Sequence, residues 1–333
     1  MSDKISIVIP CYNEEKFIEK SLHSLINSDY PSNLIEISVI DGGSTDKSLE
    51  LIGKLQAQYK NIRVLRNPKK ITPVSLNMGI LNSTGDFIMI ASAHSQFPTD
   101  YISSLMDTMQ KMNCDCIGGA IETRTISSTP SAIAITKVLS SGYGVGNSTF
   151  RIETSEIRYV DTVPFGIYRK SVYTKVGLYN EQLVRNHDIE FSKRLIRAGY
   201  KIVLVPSVRC VYYARETYKK LSSNSLSNGF WNLITLYRTK RLGSLSIRHF
   251  IPLIFILSLI VPLIAGFWLD SKIIIISLLS LLMYLVFITA ASLKIRDNSA
   301  GFVYILLSIA VLHFSYGVGS LIGLLRIDKL LFY

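Results

Sequence analysis

The chain has 333 residues, of which 48% are apolar, with a mean hydropathy of +0.31 and a formal net charge of +12. The length fits one large domain plus an appendage, and the apolar excess, high for a soluble protein, sits in the last third. A positive charge of this size suits nucleic acid, an anionic membrane face or a phosphorylated substrate; with long apolar segments present, the lipid bilayer is the expected partner and nucleic acid is not.

Residues 4–10 form a nearly unbroken apolar run and read as a first strand, with no secretory leader before it, so the bulk of the chain is expected in the cytoplasm. Cys11-Tyr12-Asn13-Glu14 is its βα turn, with Asn13 as N-cap of a helix to about residue 28. Residues 35–40, rich in β-branched side chains, read as a buried parallel strand ending at Asp41. Gly42, Gly43, Ser44, Thr45 and Asp46 then lead into an amphipathic helix over 45–59 carrying Leu49, Ile52 and Leu55. In an open α/β sheet ligands bind outside the carboxyl ends of the strands, where Asp41, Tyr12 and Glu14 all fall. A carboxylate there repels phosphate but accepts hydrogen bonds from a base edge or ribose hydroxyl, so Asp41 is read as a ligand-binding residue. For Ser44, Thr45 and Asp46 a ligand role and a plain turn or N-cap role both stand.

A third strand is expected at 62–65, a helix opening at Thr72-Pro73 and running through Asn77 to 82, and a fourth strand at 87–91 ending in Ser92-Ala93-His94. This alternation predicts an α/β fold with a doubly wound, mostly parallel sheet. Thr99-Asp100 opens a helix to about 113, and residues 115–121 form a further strand. Residues 127–150, rich in Gly and Ser around a short apolar helix, read as a mobile lid. Strand character returns at 159–168. Asn186-His187-Asp188 precedes a helix with a basic face (Lys193, Arg194, Arg197) that stops at Gly199, and 201–206 is the last clear strand. Four cysteines, Cys11, Cys114, Cys116 and Cys210, lie in apolar strand-like contexts without metal-site spacing and read as buried free thiols.

Residues 221–241 mix Phe230, Trp231 and Tyr237 with Arg238, Lys240 and Arg241, the composition of an interfacial helix. Three apolar stretches follow, 250–268, 273–293 and 302–325, each near the ~20 residues of a spanning helix and free of Asp, Glu, Lys and Arg. Pro252 and Pro262 are expected to kink the first, and Gly317, Gly319 and Gly323 to allow close packing of the third. Arg238, Lys240, Arg241 and Arg248 before the first span, and Lys294 and Arg296 between the second and third, put the large domain and the Lys294 loop in the cytoplasm and the tail 326–333 outside. The expected organisation is a catalytic domain over 1–215, an interfacial segment over 216–249, three transmembrane helices over 250–325 and a short tail.

The stretches 6–14 (SIVIPCYNE) and 39–46 (VIDGGSTD) resemble the opening of inverting family 2 glycosyltransferases with a GT-A fold. The stretches 72–79 (TPVSLNMG), 160–166 (VDTVPFG) and 186–190 (NHDIE), with Arg194, resemble the branch containing the bacterial succinoglycan-synthesis glucosyltransferases, which also carries C-terminal spans. The resemblance covers about residues 4–240. It implies that Pro10, Tyr12, Glu14 and Asp41 hold the nucleotide of a nucleotide-diphosphate sugar, most often a UDP-sugar. Asn77 and Ser92 would line the donor pocket, Asp188 would be the general base toward an acceptor hydroxyl, and Glu190, Arg194 and Trp231 would serve acceptor binding or gating. A helix N-terminal carboxylate stabilised by the macrodipole is the other reading of Asp188.

Two departures matter. The family usually has Asp-x-Asp after the fourth strand, and this branch often Asp-Ala-His; here the triplet is Ser92-Ala93-His94, leaving His94 as a ligand for Mn²⁺ or Mg²⁺. The diphosphate needs neutralising either by such a divalent metal or by cations such as Lys69, Lys70 or Arg194. In the aromatic gating element only Gly229 and Trp231 fit. The resemblance and the spans together imply a multi-pass glycosyltransferase of the bacterial inner membrane that acts on a polyprenyl-linked acceptor in polysaccharide biosynthesis. The alternatives are a polyprenyl-phosphate sugar synthase and a non-catalytic scaffold of an assembly complex; three spans are few for a processive synthase.

Overall fold

The computed structural model describes residues 3–152 and 154–326, and they fall into two compact units, one within 1–122 and 153–213, the other within 123–152 and 214–333. The first unit holds a nine-stranded sheet: β1 Ile5–Cys11, β2 Ile35–Asp41, β3 Ile62–Arg66, β4 Phe87–Ile90, β5 Ser95–Gln96, β6 Cys116–Arg124, β7 Arg158–Tyr159, β8 Ile167–Arg169 and β9 Ile202–Tyr213. The order is β3-β2-β1-β4-β8-β6-β9-β5, with β7 also on β9. The pairs β3–β2, β2–β1 and β1–β4 are parallel and form one half of the sheet, while β8, β5 and β7 pair antiparallel. This is the expected α/β class, with a mixed sheet in which a parallel half is continued by an antiparallel half rather than a mostly parallel one.

The helices of this unit are α1 Ile18–Ile26, α2 Ser48–Gln58, α3 Thr72–Leu81, α4 Tyr101–Met112 and, in the second half, two more described below. Ile7, Ile9, Ile37, Ile40 and Ile88 are fully buried, as strands covered on both faces require. Helix α3 lies directly on β1 and β2: a Cβ on Gly79 would stand 2.3 Å from Val8 Cγ1, so only glycine fits there. All four cysteines are free and buried. The amino ends of the strands are clamped by Glu36, whose carboxylate accepts from Ser6 Oγ (2.5 Å), Thr84 N (2.7 Å) and Thr84 Oγ1 (2.6 Å) and pairs with Lys4 at 3.2 Å.

The second unit contains α5 Pro130–Leu139 and α6 Gly142–Val145; after α7 Ser171–Val176 and α8 His187–Arg197 of the first unit, it continues with α9 Tyr218–Thr239, α10 Ile251–Trp268, α11 Ile274–Ile295 and α12 Phe302–Leu325. The segment expected as a mobile lid is therefore helical and part of this unit: Ala134, Ile135 and Val138 of α5 share a core with Ile288 of α11 and Ile305 and Ile309 of α12. Among the described residues three helices are long and apolar enough to cross a membrane, as expected. Most of α10 and α11 faces outward with large apolar side chains, among them Trp268 (84% exposed) and Met283 (73%), a surface that suits lipid.

Helix α9 runs parallel to α12 along a small-residue seam. Ser222 Oγ meets Ser315 Oγ at 2.8 Å, Gly319 faces Leu226, Gly323 faces Phe230, and Ser320 Oγ donates to the Gly229 carbonyl at 3.1 Å. Each step of four on one helix matches a step of four on the other, the signature of a parallel pair. Arg238, Lys240 and Arg241 consequently lie toward the end of the unit where α12 finishes, and Lys294 and Arg296 toward the end where it starts. The tail beyond residue 326 lies outside the described residues.

Candidate active site

The loops after β1 and β2 are laced together. Asn13 N donates to Ser44 Oγ (2.9 Å), Thr45 N to Asn13 Oδ1 (2.8 Å), Glu14 N to Ser48 Oγ (2.8 Å) and Glu15 N to Asp46 Oδ2 (3.1 Å). Asn13 is thus no N-cap; it sits at φ 54°, a left-handed conformation that Asn tolerates, and its amide pins the neighbouring loop. Asp41, 2% exposed, accepts from Gly43 N (2.8 Å) and Ser44 N (3.1 Å). Those two bonds shape the turn, in which Gly43 has φ +83°, and leave other lone pairs of the carboxylate for a ligand. Pro10 lies in β1 opposite Ile40, and Tyr12 beside it is 53% exposed.

This edge of the sheet is acidic. Burial, and then the charges of Glu14, Asp41 and Asp46, push the Cys11 thiol up to about 12. A diphosphate brought here needs cations. Lys70 supplies one: a Cβ placed on Gly43 would lie 3.3 Å from its Cε and 3.7 Å from its Nζ, so the exposed ammonium stands over the Asp41 turn. Lys69 is instead paired with Glu181 at 3.1 Å.

At the end of β4, Ser92 Oγ accepts from His94 N at 3.4 Å, and His94 Nδ1 meets Glu14 Oε1 at 2.9 Å. Ser92, His94, Glu14, Tyr12 and Asp41 therefore gather at the carboxyl ends of three adjacent strands. Among the described residues no three His, Cys, Asp or Glu side chains converge as a metal cage. A metal at this edge would have His94 as its protein ligand and would rely on diphosphate oxygens and water for the rest.

Asp188 occupies the first turn of α8 and is exposed. Most of the other expected site residues of this region form its frame. Asn77, 4% exposed, donates from Nδ2 to the Tyr179 carbonyl and accepts from Tyr179 N, both at 2.9 Å, so its amide holds the 179–181 turn. Glu190, also 4% exposed, takes Arg194 Nε on both oxygens (2.9 and 3.1 Å), and Arg194 Nη1 and Nη2 each donate at 2.7 Å to the carbonyls of Val176 and Leu178. Phe191 of α8 stacks on Tyr173 and packs against Tyr168 and Tyr179. Burial lowers the pKa of the preceding His187, against the opposing pull of Asp188, and keeps its ring neutral. Trp231 belongs to α9 of the second unit. Sequence reasoning passed over Glu181 and Tyr212, whose ring lies 5.6 Å from that of His94; neither carries a local signal.

The model of glycosyl transferase family 2 matches residues 6–177. The chain is 35% identical over 233 residues, 68% of its length and 71% of the other's, to the dolichyl N-acetyl-alpha-D-glucosaminyl phosphate 3-beta-D-2,3-diacetamido-2,3-dideoxy-beta-D-glucuronosyltransferase of Methanococcus voltae. It is 31% identical to the succinoglycan biosynthesis protein ExoA of Rhizobium meliloti, with 63% of each chain aligned. Among solved structures it resembles a Pyrobaculum calidifontis mannosyltransferase in complex with GDP-Man and Mn²⁺ (14% identity, 96% of this chain and 87% of that chain, TM-score 0.60). It also resembles residues 1–349 of S. aureus TarS (17%, 95% and 90%, TM-score 0.53). At these identities the structural likeness speaks for the fold.

Proposed function

The chain belongs to glycosyl transferase family 2, and on that premise we propose that it moves a sugar, with inversion, from a nucleotide-diphosphate sugar to a saccharide carried on a polyprenyl phosphate or diphosphate. The observation that carries this reading is the juxtaposition of Tyr12, Asp41, Glu14 and His94 at one sheet edge, with Lys70 standing over the Asp41 turn. Tyr12 and Asp41 offer a flat ring and a hydrogen-bond acceptor to a base and ribose, for which a UDP-sugar is the expected donor. Lys70 offsets diphosphate charge against the acidic surroundings.

Asp188 acts as general base. Its carboxylate takes the proton of an acceptor hydroxyl as that oxygen bonds to the anomeric carbon, while the bond from that carbon to the diphosphate oxygen breaks. Asn77, Glu190 and Arg194 position the element that carries it. A divalent metal, held by His94, would supply charge neutralisation on the leaving diphosphate.

The lipid-linked acceptor is supported by the outward apolar faces of α10 and α11 and by the Methanococcus voltae relative, whose name gives a dolichyl-phosphate-linked sugar as acceptor. The active edge is proposed to face the cytoplasm, and the membrane of a bacterium and a role in surface-polysaccharide synthesis remain part of this proposal.

The test incubates the detergent-solubilised chain with a panel of UDP-, GDP- and dTDP-sugars and a polyprenyl-linked monosaccharide. Elongation of the lipid-linked sugar supports the reading. Transfer only to bare polyprenyl phosphate identifies a polyprenyl-phosphate sugar synthase, and absence of any transfer with bound nucleotide favours a scaffold.

A further inference from the structure

We infer that Glu14 is a positioning residue for a metal ligand rather than a contact to the nucleotide: it fixes His94 so that Nε2 is the coordinating nitrogen of a single-histidine Mn²⁺ site completed by the donor diphosphate. The inference rests on the donor reading above.

Glu14 Oε1 lies 2.9 Å from His94 Nδ1. A carboxylate only accepts, so the hydrogen of the ring sits on Nδ1 and the lone pair on Nε2. Among the described residues Nε2 has no protein partner, and the ring is 30% exposed. A histidine whose other nitrogen donates to a carboxylate is the arrangement found around metal-bound imidazoles, where the carboxylate sets the tautomer and raises the basicity of the ligating nitrogen. Both residues are held from behind. Glu14 N is anchored on Ser48 Oγ at 2.8 Å, and the His94 ring packs against Tyr212 at 5.6 Å between centroids. The residue two before His94 is Ser92, an uncharged side chain whose hydroxyl accepts from the His94 backbone N–H at 3.4 Å. With one neutral nitrogen from the chain, the ion is held mainly by the diphosphate, so it binds together with the nucleotide and weakly without it.

The experiment uses the full chain in detergent, with UDP as probe and GDP where UDP does not bind. Calorimetry with Mn²⁺ and with EDTA is run on the wild type, His94→Ala, Glu14→Ala and Glu14→Gln. Pulsed electron paramagnetic resonance of the wild-type Mn²⁺–UDP complex reads nitrogen coupling directly and needs no variant. Imidazole nitrogen coupling is expected, together with tightening of UDP by Mn²⁺. Glu14→Ala should lower that gain about 10–100-fold while leaving UDP affinity in EDTA within about two-fold of the wild type. Glu14→Gln, whose amide oxygen still accepts from Nδ1, should recover much of the gain. Equal weakening of UDP by Glu14→Ala in Mn²⁺ and in EDTA would make Glu14 a nucleotide contact and overturn the inference, as would absence of nitrogen coupling; both leave the donor reading intact. Failure of every nucleotide to bind the wild type overturns the donor reading and the inference with it.

Discussion

Asn77 and Tyr179 are paired in both directions, the Asn77 amide donating to the Tyr179 carbonyl and accepting its N–H, each at 2.9 Å. The bond joins α3 to the turn that leads into the Asp188 helix. Asn77→Ala should destabilise the first unit by about 1–3 kcal/mol, since it leaves buried backbone groups unpaired. It should slow sugar transfer while the Kd for UDP changes less than about three-fold. A large loss of UDP affinity at unchanged stability would instead make Asn77 a donor contact.

The Glu190–Arg194 pair should be more sensitive still. Arg194→Ala leaves the Glu190 carboxylate buried without its partner, a change that costs about 3–5 kcal/mol. Arg194→Lys should rescue little, because one ammonium cannot reach Glu190 and the Val176 and Leu178 carbonyls together. Urea unfolding of the solubilised chain, followed by tyrosine fluorescence, measures both.

Stability should fall in two acid steps. His187 has a lowered pKa, so the unfolded chain binds its proton first; the contribution is complete above the ordinary histidine value near 6.5 and is lost as pH drops below it. For Glu36 burial alone would raise the pKa, but hydrogen bonds from Ser6, Thr84 and Lys4 outweigh it and bring it to about 2. That contribution is complete above the unfolded value of 4.5 and is lost between 4.5 and about 2. Glu36→Gln should flatten the lower step and leave the upper one; melting curves from pH 8 to pH 2 read both windows.

The α9–α12 seam predicts that Gly319→Leu disrupts the second unit, because a Cβ there would already stand 2.1 Å from the Leu226 carbonyl oxygen. The cost should be at least the ~1–3 kcal/mol of an overpacked core. Thermal inactivation in detergent should fall well below that of Gly301→Leu, where the nearest atom is 3.8 Å away.

Much of this architecture is legible without coordinates. Strands β1, β2 and β4 and the three long apolar helices announce themselves as apolar runs of the right length, and Asp41 and His94 fall at strand ends wherever the exact boundary lies. The rest depends on partners distant in sequence. Residues 127–150 read as a lid because Gly and Ser look like loop, yet Ala134, Ile135 and Val138 of α5 are buried against α11 and α12, more than 140 residues away. Asn77, Glu190 and Arg194 have the chemistry of site residues, and nothing local distinguishes an amide facing a sugar from one facing the Tyr179 backbone. Glu14 presents the same difficulty: only the fold brings His94 to its carboxylate.

The role of Asp188 is tested most directly by comparing wild type and Asp188→Asn for transfer of a radiolabelled sugar to a polyprenyl-linked monosaccharide, with UDP affinity measured on the same preparations. A fall in turnover of about 10²–10⁴-fold with UDP affinity unchanged is expected, as removal of a general base requires. Full activity in Asp188→Asn would contradict it, because the proton of the acceptor would then be taken elsewhere.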